Sequence, residues 1–322
     1  MTTIGAQRAG SALLLAVAAG WGLTFFSTKS MLDRLPVTDF LAVRFGVAAV
    51  VLVLIAPKAL RMRRALLWRG AVIGLVFAAA QLTQTFALPH TSASTSGFVT
   101  GLYVLFVPLL GAVMFKVHPN RLVWVAIVLA LVGLAVLSMR TTGGPFGVGE
   151  WVTLISAALW GLHITLVGRW SRPGDVMSLT IVQTVVAALV FLAGAVPDGV
   201  SLPSSGADWV WMAYFAIIIG AGGELAQFWA QARVEASKSA VLMVTEPLWA
   251  ALFAVLWGGE SVTWRLLAGG GIMVAGMVLA IRATAPPDDD QPATSAGVEP
   301  TINDVPTGTA DSTDASPIGP SS

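Results

Sequence analysis

The sequence has 322 residues, of which 56% are hydrophobic and only 11% are charged. A soluble globular domain has roughly 25% charged residues, so this composition excludes that class and indicates a protein embedded in a membrane. The chain has no cysteine, which excludes disulfide bonds and thiolate metal sites. Charge is spread unevenly, because the last 39 residues hold seven of the 17 acids and no Lys or Arg.

Apolar segments long enough to cross a hydrocarbon layer of ~30 Å follow one another along most of the chain. Short polar stretches separate them. The pattern predicts an all-α integral membrane protein, because lipid leaves no hydrogen-bond partner for the edge of an open sheet. The ten predicted transmembrane helices are 9–31, 37–56, 69–88, 92–115, 121–139, 149–169, 176–196, 208–231, 238–257 and 263–282.

The Lys and Arg residues between the spans predict which side of the membrane each loop faces. With the N-terminus in the cytoplasm, thirteen basic residues fall on the inner side and four, including Lys29 and Arg34, on the outer side. Because cytoplasmic loops have the excess of basic residues, we predict that the N- and C-termini are both cytoplasmic.

The segment after the tenth span, 284–322, is rich in Pro, Ser, Thr, Gly and Asp and has almost no large apolar side chain. Such a composition cannot bury enough surface to fold by itself. We expect a disordered, acidic, cytoplasmic tail.

The spans form two similar halves, which become visible when the chain is compared with itself. At an offset of 139 residues, Trp21-Gly22-Leu23 falls on Trp160-Gly161-Leu162, and Arg44 falls on Gln183. The order of the matching positions is the same in both halves, which indicates an internal repeat rather than chance similarity.

The repeat continues at a slightly different offset in the third and fourth spans of each half. At 143 residues, the stretch 81–103 falls on 224–246 with six identities in 23 positions. The change of four residues is absorbed by the longer loop 197–208. We therefore predict two five-helix repeats, residues 9–139 and 149–282.

Each repeat holds five helices, an odd number, so the second copy must enter the membrane in the opposite direction. Inverted repeats of this kind place a binding site between the halves near the middle of the membrane, where rocking exposes it to each side in turn. This arrangement favours a transporter over a static anchor.

Two carboxylates, Glu224 and Glu246, lie inside apolar spans, roughly 12–14 Å deep at ~1.5 Å rise per residue. A carboxylate at that depth is costly unless it is protonated, paired or facing water. Under the repeat, Glu224 corresponds to Gln81 and Glu246 to Tyr103. We expect all four to line a substrate site and both acids to be candidates for proton coupling. For Glu246 the alternative is a structural carboxylate bonded to helix-end amides near Pro247.

His163 is a further candidate for the substrate site and for proton coupling. It lies near the middle of the sixth span, and histidine titrates near neutral pH, which suits a proton carrier. A histidine bonded to a carbonyl group of a neighbouring helix would give the same pattern. No second histidine or acid lies at a metal-ligand spacing, so we expect no metal site.

Arg44 lies about one and a half turns inside the second span, too deep for easy solvation. Facing a cavity, it would attract an anionic group such as a carboxylate. The alternatives are that it snorkels towards the surface or pairs with Asp39 or Asp33.

Gly269-Gly270-Gly271 and the small residues that follow give the tenth span a face that allows close helix contact. Such a face serves either packing within the chain or the seam of a homodimer, and the pattern does not separate the two.

Several short motifs recur in order along the chain. They are Trp21-Gly22, Ala42-Val43-Arg44-Phe45, the run 92–98, Trp160-Gly161, Thr245-Glu246-Pro247 and Gly258-Gly259-Glu260. Their order resembles that of the EamA-type members of the drug/metabolite transporter superfamily, across residues 10–283. The first half departs from the pattern by having Tyr103-Val104 where the second has Glu246-Pro247. The resemblance implies ten helices in two inverted halves and transport of small organic solutes, commonly export of amino acids, metabolites or drugs.

These features predict a secondary-active transporter that exports a small organic solute across the inner (plasma) membrane, by alternating access and with proton coupling. No Gly-x-x-x-x-Gly-Lys-[Ser/Thr] loop is present, and we expect no cofactor, no catalytic activity and no nucleic-acid partner. The expected partners are membrane lipids and the small-molecule substrate. The alternatives are a membrane-embedded enzyme acting on lipid or glycan, and a non-transporting scaffold. The residues expected to line the site are Arg44, Gln81, Tyr103, His163, Glu224 and Glu246.

Overall fold

The computed structural model describes residues 3–115, 120–138, 147–170, 174–231 and 242–284, and the regular elements in these ranges are helices. The predicted tail, 284–322, lies outside them apart from its first residue. A π-helix, Tyr214–Gly222, joins α9 to α10, and short 3-10 turns follow α2, α3 and α8. The α-helices are α1 (Thr3–Leu32), α2 (Val37–Ile55), α3 (Arg64–Ala87), α4 (Ala93–Gly101), α5 (Tyr103–Phe115), α6 (Arg121–Ser138), α7 (Val148–Trp170), α8 (Val176–Ala195), α9 (Gly206–Ala213), α10 (Gly223–Gln231), α11 (Glu246–Leu256) and α12 (Trp264–Thr284).

The predicted all-α membrane architecture is confirmed. Within the described residues, nine helical segments are long and apolar enough to cross a membrane. A shorter apolar helix, Glu246–Leu256, lies within the predicted ninth span, 238–257. The start of that span, 238–241, falls outside the described residues. The orientation of the termini remains a prediction.

The fourth and ninth spans are interrupted at corresponding positions. α5 begins at Tyr103 after a one-residue break that follows α4, and α11 begins at Glu246 after a turn. Tyr103 and Glu246 are counterparts at the 143-residue offset, so both halves restart a helix at the equivalent residue. Pro247 favours the restart in the second half, because a proline in the first turn lacks only an N–H that would be unbonded anyway. In the first half the proline, Pro108, lies further along, inside α5.

The helices that pack against each other follow a two-fold pattern. α2 packs on α8 and α6 packs on α12, and each pair joins equivalent helices of the two halves. The contact of α3 with α7 has its counterpart in that of α1 with α10, and the contact of α1 with α11 in those of α7 with α4 and α5. The packing therefore repeats when the halves are exchanged, as expected for repeats related by a two-fold axis.

The two Trp-Gly motifs make the same contact in each half. A Cβ placed on Gly22 would lie 2.6 Å from Cβ of Trp249 and 3.0 Å from the first carbonyl oxygen of α11. A Cβ placed on Gly161 would lie 2.6 Å from Cβ of Phe106 and 3.3 Å from the first carbonyl oxygen of α5. Trp249 and Phe106 are themselves counterparts at the 143-residue offset. In both halves, glycine lets the first helix of one repeat cross the start of a helix in the other.

The small-residue face of the tenth span packs within the chain. A Cβ on Gly269 of α12 would lie 2.8 Å from the carbonyl oxygen of Gly133 on α6, and a Cβ on Gly276 would lie 2.9 Å from that of Ala126. These glycines therefore let α12 lie directly against α6. A homodimer seam on this helix remains a prediction, and Gly271 is an exposed member of the face.

We expect Gly22→Ala to lower the stability of the folded protein, whereas Gly271→Ala should not lower it. The added methyl at Gly22 meets backbone atoms of α11 that cannot move aside alone, and overpacking of this kind costs about 1–3 kcal/mol. At Gly271 the methyl meets nothing within 4 Å. Thermal unfolding of the purified variants in one detergent checks this. Equal melting temperatures for the two variants would show that the Gly22 crossing is not tightly packed.

Candidate functional site

A hydrogen-bonded series of three polar side chains lies inside the helix bundle. Gln183 on α8 is only 4% exposed, and its amide oxygen lies 3.0 Å from Nε2 of His163 on α7. Because an amide oxygen can only accept, Nε2 of His163 is the donor. The amide nitrogen of Gln183 donates to Oε2 of Glu224 on α10 at 3.4 Å. The buried amide of Gln183 thus joins two of the predicted site residues, His163 and Glu224. Apolar helices offer few other hydrogen-bond partners to these groups.

Aromatic rings surround His163 on the side of α3. The imidazole lies 5.4 Å from the ring of Phe77 and 5.5 Å from that of Trp160, between ring centroids. The indole nitrogen of Trp160 donates to the side-chain oxygen of Gln84 at 3.2 Å, and Gln84 donates to the Thr100 hydroxyl at 3.4 Å. Trp160 of the second Trp-Gly motif is therefore held by a polar side chain of the first half.

Arg44 on α2 is buried, with 8% of its surface exposed. Its guanidinium carbon lies 5.0 Å from the ring centroid of Phe45 and 5.6 Å from that of Phe215, both within the range of a cation–π interaction. It interacts electrostatically with Glu224 and Tyr214. The predicted alternative of pairing with Asp39 is not what the structure has.

The π-helix Tyr214–Gly222 sets the position of Glu224, the second residue of α10. π-Helices are rare and frequently lie at functional sites, because the wider turn changes which residues face a given side. The Tyr214 hydroxyl donates to the carbonyl oxygen of Gly20 at 3.3 Å, which ties the start of the π-helix to α1. At its other end Gly223 lies against Trp21, since a Cβ there would be 3.3 Å from the indole nitrogen.

Tyr103 and Glu246 form a second group, at the starts of α5 and α11. The two side chains interact electrostatically. Gly101, at the end of α4, lets this helix approach α11, since a Cβ there would lie 2.8 Å from Cγ of Pro247. Tyr103 and Glu246 thus occupy equivalent positions in the two halves. In the folded chain their side chains interact with each other.

The structure relates the six predicted site residues in different ways. It brings His163 and Glu224 together around Gln183, with Arg44 interacting with Glu224, and it brings Tyr103 together with Glu246. Gln81 is buried on α3, and within the described residues it makes no hydrogen bond to the other candidates. The predicted alternative for His163, a bond to a main-chain carbonyl, is replaced by the bond to Gln183.

Two glutamines of these networks were absent from the predicted set, although the repeat contains a signal for each. Gln183 is the counterpart of Arg44 at the offset of 139, and Gln84 matches Gln227 at the offset of 143. A polar residue at corresponding depth in both halves is the pattern that would have found them.

Polar contacts join the two halves at one end of the bundle, the end predicted to face outwards. The guanidinium of Arg34 pairs with Asp208 at 2.8 Å. The carboxylate of Asp39 accepts a hydrogen bond from the backbone nitrogen of Ser201 at 2.9 Å. In both contacts the first residue belongs to the first half and the second to the second half. We call this the latched end.

The connection between α3 and α4 contributes a third contact at the latched end. The Thr91 hydroxyl donates to Oε1 of Glu150 in the first turn of α7 at 3.0 Å, and the other oxygen of Glu150 accepts from the backbone nitrogen of Gly147 at 2.9 Å. The ammonium of Lys29 donates to the Thr91 carbonyl oxygen. Thr91 therefore links the end of α1 to the start of the second half.

Glu260 caps α4 from the opposite half. Its carboxylate accepts from the backbone nitrogens of Ala93 at 2.6 Å and Ser94 at 3.4 Å, and from the Ser94 hydroxyl. Gly259, with φ of 71°, turns the chain after α11 so that this carboxylate reaches the N-terminus of α4. A negative charge is stabilised there by the helix dipole. The Gly258-Gly259-Glu260 motif is thus a helix cap that spans the two halves.

Comparison with known proteins agrees with this repeated architecture. The model of the EamA-like transporter family matches the chain twice, at residues 8–139 and 147–282. The chain belongs to the EamA-like transporter family. An uncharacterized transporter of Archaeoglobus fulgidus is 25% identical over 256 residues, which cover 78% of each protein. A crystal structure with 20% identity matches with a TM-score of 0.60 over 84% of this chain and 96% of its own, a similarity of fold.

Membership of the EamA-like family confirms the resemblance predicted from the short motifs and makes this multi-pass protein a membrane transporter. The contacts in the structure explain what these motifs do in this chain. Gly22 and Gly161 let helices cross closely, and Glu260 caps α4.

We expect Glu260→Ala to destabilise the folded protein, because three donors at the start of α4 lose their acceptor. Removal of a capping side chain costs about 0.5–2 kcal/mol. The matched control is Asp198→Ala, which removes an exposed acid from the turn after α8. Thermal unfolding in detergent measures both. A melting temperature for Glu260→Ala equal to that of the control would contradict the capping role.

Proposed function

We propose that this chain is a secondary-active exporter of a small organic solute, such as an amino acid, metabolite or drug, in the inner (plasma) membrane. It works by alternating access at a site between two five-helix repeats, residues 9–139 and 149–282, and proton coupling drives it. Both termini and the acidic segment 284–322 are cytoplasmic.

The observation that supports this proposal best is the polar centre inside apolar helices. His163, Gln183 and Glu224 come from the second half and interact with one another, and Arg44 comes from the first half. Polar side chains within membrane helices are costly and mark substrate and ion pathways by default. Their position where the halves meet is the one that inverted-repeat transporters use for substrate.

The latched end supports alternating access. Its contacts each join the first half to the second: Arg34 to Asp208, Asp39 to Ser201, Thr91 to Glu150, and α4 to Glu260. If the halves rock against each other, these contacts break when this end opens and form again when it closes. The conformation described here is therefore one in which the end predicted to be outer is closed.

Proton coupling is supported by the link between Glu224 and Arg44. The two side chains interact electrostatically, so a proton that neutralises the carboxylate changes the potential at the guanidinium. The bond from Gln183 connects the same carboxylate to His163. A proton taken up at either group therefore alters the surroundings of the other.

The carboxylates at the latched end bear on the alternative of a membrane-embedded enzyme. Such an enzyme needs a cluster of acids or histidines free to act at one interface. At this end Asp39, Glu150, Asp208 and Glu260 each hold a loop, a helix start or an arginine in place. This use of the acids favours transport.

We expect the purified protein in proteoliposomes to move at least one solute when a pH gradient is imposed. The panel consists of labelled amino acids, other small metabolites and cationic drugs, with protein-free liposomes as background. Flux of a panel member above background, increased by the gradient, is the expected result. Correctly inserted protein that moves no member of the panel would overturn the proposed function.

The variant Glu224→Gln separates coupling from transport in the same vesicles. The amide keeps the size of the side chain but cannot take up a proton, so the variant should exchange solute across the membrane without responding to the gradient. An unchanged response to the gradient would remove Glu224 from the coupling mechanism.

We expect a disulfide across the latched end to stop transport. The chain has no cysteine of its own, and the short Asp39 side chain reaches the backbone of Ser201, so these positions are close neighbours. The double variant Asp39→Cys/Ser201→Cys should lose nearly all flux on oxidation and regain it on reduction. The two single variants, oxidised in the same way, are the controls. Full flux through protein shown by mass to be cross-linked would exclude opening at this end.

A further inference from the structure

Arg44 is a buried cation with one hydrogen-bond donor, Nε, that the described protein does not use. Its side chain is 8% exposed, and its Nε atom is buried and has no hydrogen-bond partner among the described residues. The rings of Phe45 and Phe215 contact the guanidinium by cation–π interaction. A phenyl ring has no lone pair, so it does not replace a hydrogen-bond acceptor for the N–H groups. Leaving such a donor unbonded is costly, since hydrogen bonds to charged groups are the strong ones.

The acids that could satisfy Arg44 are used differently. Asp39, one turn earlier on α2, directs its carboxylate to the backbone of Ser201. Glu224 interacts with Arg44 electrostatically, but Oε2 of Glu224 accepts a hydrogen bond from Gln183. Aromatic rings therefore hold Arg44 in place, and the nearby acid Glu224 is hydrogen-bonded to Gln183 instead.

The counterpart of Arg44 in the second half is a neutral amide, Gln183. Of these two corresponding positions only Arg44 carries a positive charge, and the Glu224 side chain interacts with it. A solute carboxylate would supply the acceptor that the buried Nε of Arg44 lacks within the described protein. A planar guanidinium also matches the two oxygens of a carboxylate.

We propose that Arg44 binds the carboxylate of a transported monocarboxylic solute. This inference rests on the proposed transport function and names the substrate class of the same site. The solute carboxylate accepts hydrogen bonds from the guanidinium, and the aromatic rings beside Arg44 contact the apolar part of the solute. Ring-to-ring contacts run from Phe45 through Phe77 and Trp160 to His163, so aromatic side chains line that part of the site.

The test measures binding to the full-length protein in detergent with three probes of similar shape. Leucine has a carboxylate and an amine, 4-methylpentanoate has the carboxylate alone, and leucinamide has the amine without a carboxylate. A wider series of monocarboxylates, from acetate to indole acetate, covers other sizes. Ligand-induced stabilisation on heating reports binding, since a ligand that binds only the folded state raises its melting temperature.

Monocarboxylates of the series should stabilise the wild type, and leucinamide should not. Arg44→Gln should weaken binding of the effective acids by ~10–100-fold, the range that corresponds to a lost charged hydrogen bond. Arg44→Lys keeps the charge but loses the planar donor set, so it should bind more weakly than the wild type and more tightly than Arg44→Gln. Arg282→Gln, at an exposed position near the end of α12, is the matched control and should bind as the wild type does.

Two results would overturn the inference. One is an absence of binding by every monocarboxylate of the series to folded wild type. The other is equal affinity of the wild type, Arg44→Gln and Arg44→Lys for an acid that binds. If Arg44→Gln does not fold, the comparison of Arg44→Lys with the wild type decides. Neither result removes the proposed function, which is judged by the flux of any solute in proteoliposomes.

Discussion

The structure depends on one constraint: inside hydrocarbon, polar groups must find their partners within the chain. The buried amide of Gln183 meets this constraint by using its oxygen for His163 and its nitrogen for Glu224. Glu260 meets it at the start of α4, where it takes up donors that the helix cannot satisfy itself. Gln183 and Glu260 therefore have positions fixed by their partners.

The two halves share a packing pattern but differ in their polar side chains. Gly22 and Gly161 make equivalent contacts, and α4 and α11 lead to equivalent helix starts at Tyr103 and Glu246. At three corresponding places the chemistry differs: Arg44 with Gln183, Gln81 with Glu224, and Tyr103 with Glu246. The packing is therefore close to symmetric, whereas the polar side chains of the proposed site differ between the halves.

The sequence was sufficient for the all-α membrane architecture, because the length of an apolar segment is a local property of the chain. It was not sufficient for which polar residues touch, because this depends on how far each helix is turned about its axis. The π-helix before Glu224 is the clearest example. It inserts a wider turn among Gly and Ile residues that the pattern predicts as ordinary helix, and so changes the side to which Glu224 points.

Gln183 was missed because its importance depends on the residues around it. A glutamine among apolar residues on the seventh span gives no signal by itself, and it matters here because α7 and α10 present His163 and Glu224 to it. Only the match of Gln183 to Arg44 pointed to the position. Residue type pointed to His163 and Glu224, and internal symmetry pointed to Gln183, which joins them.

The contacts between the halves differ in a way that bears on the proposed rocking. Where α6 meets α12, the backbones at Gly133 and Gly269 approach so closely that sliding would lose packing with no replacement. At the latched end the polar contacts are hydrogen bonds to carboxylates, worth ~1.5–3 kcal/mol each, and an ion pair with a half-exposed arginine, worth ~0–1 kcal/mol. Contacts of this size stabilise a closed state and still allow it to open. The close contact of α6 with α12 does not allow the two helices to separate in this way. The pivot of the proposed motion therefore lies at α6 and α12, and the opening lies at the latched end.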